Sequence, residues 1–209
     1  MKKVFIFILL ITVFSTFKLN AYTDTGHDDF IEILPENEEV LLLNKIPTLE
    51  KNKVMHEVRK NQFWGWRTRY FYVDESMNYI GKMIFSRANQ SSNDITFSYN
   101  IKETISESKS FNISDSLTVK GSGGKKIDLS LANELELSYS KEETSSTVES
   151  LSYEIIVPSG KKVSMYTTGI GKITSGASAK YLFFIRVKSG YWEVVEIKTV
   201  YYKIVEEEL

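Results

Sequence analysis

The chain has 209 residues, 42% of them hydrophobic and 25% charged, with 26 basic and 27 acidic side chains and a formal charge of −1. That balance, without a basic stripe, speaks against nucleic-acid binding. The lack of any cysteine excludes a disulfide framework and lipid attachment through a thiol, so the fold must rest on its own core.

Met1, Lys2 and Lys3 precede an apolar run over residues 4–14 that is too short to span a bilayer as a helix. This predicts a secretory signal peptide over residues 1–21, cleaved after Ala21, and hence an extracellular protein. Its removal leaves 23 basic against 27 acidic residues, a formal charge of −4. Residues 22–62 then read as an N-terminal arm or cap, and 63–209 as an elongated β domain. Within the arm, Pro35 with Glu36, Glu38 and Glu39 ahead of Val40 suits the first turn of a short helix, although Leu41, Leu42 and Leu43 suit a strand equally well. Residues 54–73 read as extended, crowded with Phe63, Trp64, Trp66, Tyr70, Phe71 and Tyr72. A strand over 78–86 and a polar loop over 88–94 follow.

From 97 to 120 the even positions are polar, mostly Ser or Thr, while odd positions include Phe97, Tyr99, Ile101, Ile105, Phe111, Ile113, Leu117 and Val119. A period of two places these sets on opposite faces of a ribbon. After the glycine-rich Gly121 to Gly124, Ile127, Leu129, Leu131, Leu135, Leu137 and Tyr139 continue the alternation. The reading is a long hairpin with the two arms paired across the glycine turn, the heart of a 97–157 hairpin region. Partner numbers summing to 248 would set Asp115 opposite Asn133, and a sum of 246 serves as well. Further on, Leu151, Tyr153, Ile155 and Val157 form a strand, Pro158, Ser159 and Gly160 a turn, and 161–168 a strand. Residues 169–178 read as a loop, and 181–187 with 191–205 as a last hairpin around Lys188, Ser189 and Gly190. The fold class is therefore all-β, with at most one short N-terminal helix.

Chemistry is sparse. His27, Asp28 and Asp29 are too close in sequence to converge on one ion, and His56 lacks a second histidine four residues on. There is no nucleophile elbow, and the glycines near Gly169 do not match a phosphate loop. No catalytic residue, metal or cofactor is expected, and the chain does not read as an enzyme. The aromatic group Trp64, Trp66, Tyr70 and Tyr72 offers amphipathic faces for headgroups, sugars or protein partners, with core packing as the alternative use.

A two-faced ribbon admits two readings. Its apolar face packs on a second sheet in a sandwich, or it faces lipid in a barrel assembled from several subunits. Glu103, Glu107 and Lys109 restrict the lipid-facing part of the first arm to 111–119, where Asp115 interrupts; the second arm is cleaner. The Ser/Thr-alternating ribbon 98–118, the glycine turn, the arm 129–139, the Ser/Thr-rich 144–152 and the strand-turn 153–161 together resemble the aerolysin-like superfamily of β-pore-forming proteins. That resemblance implies binding to membrane lipid or a cell-surface receptor, homo-oligomerisation and insertion of a β-barrel. The inserting residues would be Phe111, Ile113, Leu117, Val119, Ile127, Leu129, Leu131, Leu135 and Leu137, with Trp64, Trp66, Tyr70 and Tyr72 as contact residues. The alternative is a secreted or wall-associated β-sandwich binding protein without pore activity.

Overall fold

The computed structural model describes residues 24–105, 109–121, 124–135 and 147–209. In chain order the elements are β1 (Phe30–Pro35), α1 (Thr48–Val58), β2 (Trp64–Ala88), β3 (Ile95–Ile105), β4 (Lys109–Ile113), a 3-10 turn (Asp115–Leu117), β5 (Thr118–Gly121), β6 (Gly124–Ile127), α2 (Leu129–Glu134), β7 (Thr147–Val157), β8 (Lys161–Leu182), β9 (Ile185–Ile197) and β10 (Tyr201–Glu208). The fold is all-β, and every strand pair is antiparallel.

One six-stranded sheet forms the frame, in the order β1-β2-β8-β9-β4, with β10 also on β8. Strands β2 and β8, 25 and 22 residues long, pair from Trp64↔Leu182 to Ala88↔Lys162. Strands β9 and β10 run in line down the other edge of β8, the first facing 171–182 and the second 161–168. The sheet is covered on both faces. On one, α1 packs Met55 and Val58 against Ala177, Ala179 and Tyr181, while the N-terminal segment adds Phe30, Ile33, Val40 and Leu42 over Met77, Tyr79, Ile173 and Val195. On the other, the 3-10 turn and α2 bring Leu117, Leu131, Ala132 and Leu135 onto Trp66, Trp192 and Val194.

Several expected elements are placed differently. Pro35 ends β1 rather than opening a helix, because β1 lies at the sheet edge, where a missing N–H is tolerated. The helix starts after Pro47 instead, again with an acid, Glu50, in its first turn, and it includes residues 54–58 that read as extended. Residues 169–178 are not a loop but the middle of β8. Their small side chains admit close neighbours: a Cβ on Gly176 would stand 2.5 Å from the Arg69 carbonyl oxygen and 2.9 Å from the Trp192 ring. Likewise Lys188, Ser189 and Gly190 lie within β9, where a Cβ on Gly190 would stand 2.8 Å from the Cβ of Ser114. The hairpin turns earlier, at Phe183 and Phe184.

The long ribbon also pairs differently. Its first part, β3, is partnered not by the arm after the glycine turn but by β7, from Ile95↔Val157 to Ile105↔Thr147. Next, β4 joins the edge of the main sheet through Lys109↔Glu196 to Ile113↔Trp192. Only β5 and β6 pair across the glycine turn, four residues long on each side, and their register, Thr118↔Ile127, has partner numbers summing to 245, neither of the two expected sums. Within the second arm, Leu129–Glu134 form α2 instead of a strand, because Asp128 caps the helix by accepting from the Ser130 backbone N–H at 3.0 Å. Leu131 and Leu135 are four apart and therefore share a helix face as readily as a strand face. Asp115 in its 3-10 turn and Asn133 in α2 are not opposite one another.

Candidate functional site: a two-stranded ribbon and an aromatic tip

Strands β3 and β7 form a sheet of their own, 11 residues on each side and in unbroken register. Thr96, Ser98, Asn100, Ser152, Glu154 and Ile156 are exposed, whereas Phe97, Tyr99, Tyr153, Ile155 and Val157 turn inward. The inward face packs on Phe85, Val163 and Met165. Edge-on rings join Phe85 to Phe97 and Tyr99, and Tyr153 to Tyr202, and the Tyr99 hydroxyl donates to the Ile84 carbonyl at 2.8 Å. On the outer face, the Ser152 hydroxyl donates to Asn100 Oδ1 across the ribbon at 2.6 Å. The two-faced pattern of the sequence is thus physically present over residues 96–100 and 152–157 of the β3–β7 pair.

The residues assigned to lipid contact are scattered by comparison. Leu117, Leu131 and Leu135 are core, with Phe111 and Ile113 half-buried beside them on β4. Leu129 is exposed. Val119 and Ile127 take strand positions in β5 and β6, and Leu137 lies outside the described residues.

The four aromatic contact candidates also part company. Trp66 is buried, its indole N–H donating to Ser130 Oγ at 3.0 Å and Lys180 Nζ lying 5.3 Å from the ring centroid. Tyr72 packs against the core and donates its hydroxyl to the Glu39 carbonyl. Tyr70 is partly exposed, edge-on to Trp192. Trp64 alone joins a solvent-facing aromatic group, with partners of which the sequence reading named only Phe63.

Those partners are Phe63, Phe183 and Phe184. The β8–β9 connection is a two-residue turn between Leu182 and Ile185 with φ of 50° at Phe183 and 66° at Phe184. Positive φ at both central positions defines the type I′ turn, a conformation suited to asparagine and glycine and strained for bulky side chains. Phe183 is 66% exposed and Phe184 62%, and Phe63, Trp64, Ile185 and Val187 are exposed around them. The rings meet edge to face, Phe63 with Phe183 and Phe184 at centroid distances of 5.7 and 5.1 Å, Trp64 with Phe183 at 5.3 Å. The Phe184 N–H donates to the Phe63 carbonyl at 3.0 Å, and Gln62 Nε2 donates to the Trp64 and Trp66 carbonyls. The signal for this tip was the five-residue apolar run 181–185 between Lys180 and Arg186, which breaks alternation where a strand should keep it.

Polar ties fix the covering segments to the sheet. His27 and Glu193 are fully buried; His27 Nε2 meets Glu193 Oε1 and His27 Nδ1 meets Ser110 Oγ, both at 3.0 Å. Glu193 Oε2 accepts from the Leu43 N–H at 2.6 Å. This array joins the N-terminal segment, β4 and β9. Asp28 is exposed and Asp29 pairs with Lys82; among the described residues no group of three metal ligands converges. On the opposite face, Asp128 accepts from Lys188 Nζ at 2.8 Å, with Lys180 at 4.0 Å. Burial pushes the Asp128 carboxyl up, but the hydrogen bonds from Lys188 and Ser130 outweigh it and hold the pKa down to about 2.

No family model matches the chain, and no curated protein matches it.

Proposed function

We propose that the protein is a secreted, membrane-binding protein of the aerolysin-like type that oligomerises into a β-barrel pore, the β3–β7 ribbon of each subunit supplying two strands. One observation carries this reading: a two-faced antiparallel ribbon is hydrogen-bonded separately from the main sheet on which it packs, and its two strands of 11 residues match the 9–11 that a tilted barrel strand needs. The hydroxyl-bearing face suits a wet lumen, the face with Phe97, Tyr99, Tyr153 and Ile155 suits lipid. Among the described residues no helix is long and apolar enough to cross a membrane. In this reading β4, the 3-10 turn, β5, β6 and α2 with its C-cap, which carry Phe111 to Leu135, leave their places and lengthen the ribbon during insertion.

The burial of Leu117, Leu131 and Trp192 favours a second reading, in which that segment stays docked and the protein binds its target without making a pore. The chain has no cysteine, so a cross-strand pair introduced as Phe111→Cys with Val194→Cys, which are register partners between β4 and β9, locks the segment cleanly. The pore reading expects dye release from liposomes and detergent-resistant oligomers from the reduced protein, with leakage lost on oxidation. A permanent monomer that releases no dye in either state, with or without proteolysis, sinks it and leaves the second reading.

A further inference from the structure

At the turn that joins β8 to β9 the side chains pass from buried at Tyr181 to exposed at Phe183, Phe184, Ile185 and Val187. Strand β8 runs about 70 Å at roughly 3.3 Å per residue, from Lys161 and Lys162, paired with Glu206, Glu207 and Glu208, to Phe183 at the other end. The two stretches that build the tip, 59–67 and 180–188, contain Arg59, Lys60, Arg67, Lys180, Arg186 and Lys188 and no acid. Lys60 pairs with Glu57, and Lys180 and Lys188 share Asp128. Arg59 and Arg186 are exposed and make no ion pair among the described residues. Aromatic residues in water, held on a strained turn between two stretches that carry the unpaired Arg59 and Arg186, match the interface of an anionic bilayer, where indole and phenyl rings sit at headgroup depth and basic residues meet the negative surface potential.

We infer that Phe63, Trp64, Phe183 and Phe184 form the membrane-docking tip, seated directly in the lipid interface, with Arg59 and Arg186 selecting anionic headgroups. This rests on the membrane-binding half of the function proposed above and is independent of the pore.

The mature chain is titrated with vesicles of pure phosphatidylcholine and of equimolar phosphatidylcholine and phosphatidylserine, with tryptophan emission and co-sedimentation as readouts. Expected are a blue shift on the anionic vesicles that is absent in Trp64→Phe, at least ten-fold weaker binding to the neutral ones, and weakening by salt. The double variant Phe183→Asn with Phe184→Gly keeps the turn geometry and is expected to lose binding ten-fold or more. Arg186→Glu is expected to lose about five-fold on anionic vesicles and nothing on neutral ones. Unchanged binding by the turn variant overturns the inference, as does a wild-type chain that binds neither vesicle, or one that binds only cell membranes and loses them after protease treatment, which points to a protein receptor. A self-associated wild-type chain that the turn variant renders monomeric also overturns it. Vesicle binding that depends on the tip but yields no leakage leaves this inference standing while the pore reading falls.

Discussion

The cluster around Trp192 and the tip at Phe183 both sit along the β8–β9 hairpin, yet they treat aromatic surface in opposite ways. At Trp192 the ring is sealed under Leu117 and Leu131, and its indole N–H donates to Ser178 Oγ at 2.9 Å. Trp66 is sealed beside it, with its own N–H satisfied by Ser130. Two residues away on β2, Trp64 is left in solvent with Phe63 and the strained Phe183 and Phe184. The first arrangement lowers the free energy of the monomer by removing apolar area from water and meeting every polar need. The second raises it, through exposed rings and a backbone conformation costing about 1–3 kcal/mol at each strained residue. Stability explains the first and does not explain the second.

Truncation should separate them by sign. Leu131→Ala empties space beneath Trp66 and Trp192 and is expected to cost about 2–5 kcal/mol in urea denaturation, with the buried tryptophans reporting the same transition. A cost below about 1 kcal/mol would mean that α2 is not part of the cooperative unit, and the comparison would lose its buried half. At the tip, Phe183→Asn with Phe184→Gly is expected to stabilise the chain by about 1 kcal/mol, because relief of the positive φ strain exceeds the loss of edge-to-face contacts of about 0.5–1.5 kcal/mol. If the same denaturation shows a comparable loss instead, the tip rings are structural.

The period-two pattern made the all-β class legible, and with it a two-faced ribbon. It left open which strand is whose partner, since alternation specifies faces but pairing depends on long-range closure. β3 could therefore be read as a strand, while its partner β7 lies more than forty residues on, in the register Ile105↔Thr147. Leu131 and Leu135 satisfied the strand period and the helix period together, and the Asp128 cap decided between them. The small residues of 169–178 looked like a loop because their size serves close packing against Arg69 and Trp192, which no local pattern records. The tip was hidden because Phe183 and Phe184 break the usual turn chemistry, and a residue at odds with its backbone is visible only once the backbone is.

A pH-dependent effect tests how the cover over Trp192 is fastened. Asp128 caps α2 through Ser130 and reaches Lys188 on β9, so that one carboxylate ties the helix to the sheet. Its pKa falls from an ordinary 3.8 to about 2 in the folded chain. A carboxyl whose folded pKa is depressed binds fewer protons folded than unfolded; its contribution is complete above about pH 4 and is lost as pH falls through about 2. Discounted for solvent screening near a partly open site, the contribution is about 1–2 kcal/mol. Asp128→Asn is therefore expected to be less stable than the wild type by that amount at pH 6, in urea denaturation followed by tryptophan emission, with the gap closing as the pH approaches 2. Because Asp128 lies on the cover and not at the Phe183 turn, vesicle binding by the tip should survive the substitution. A variant that keeps its stability deficit unchanged at low pH would show that the side chain acts through its shape and the Ser130 hydrogen bond, and not through its charge toward Lys188.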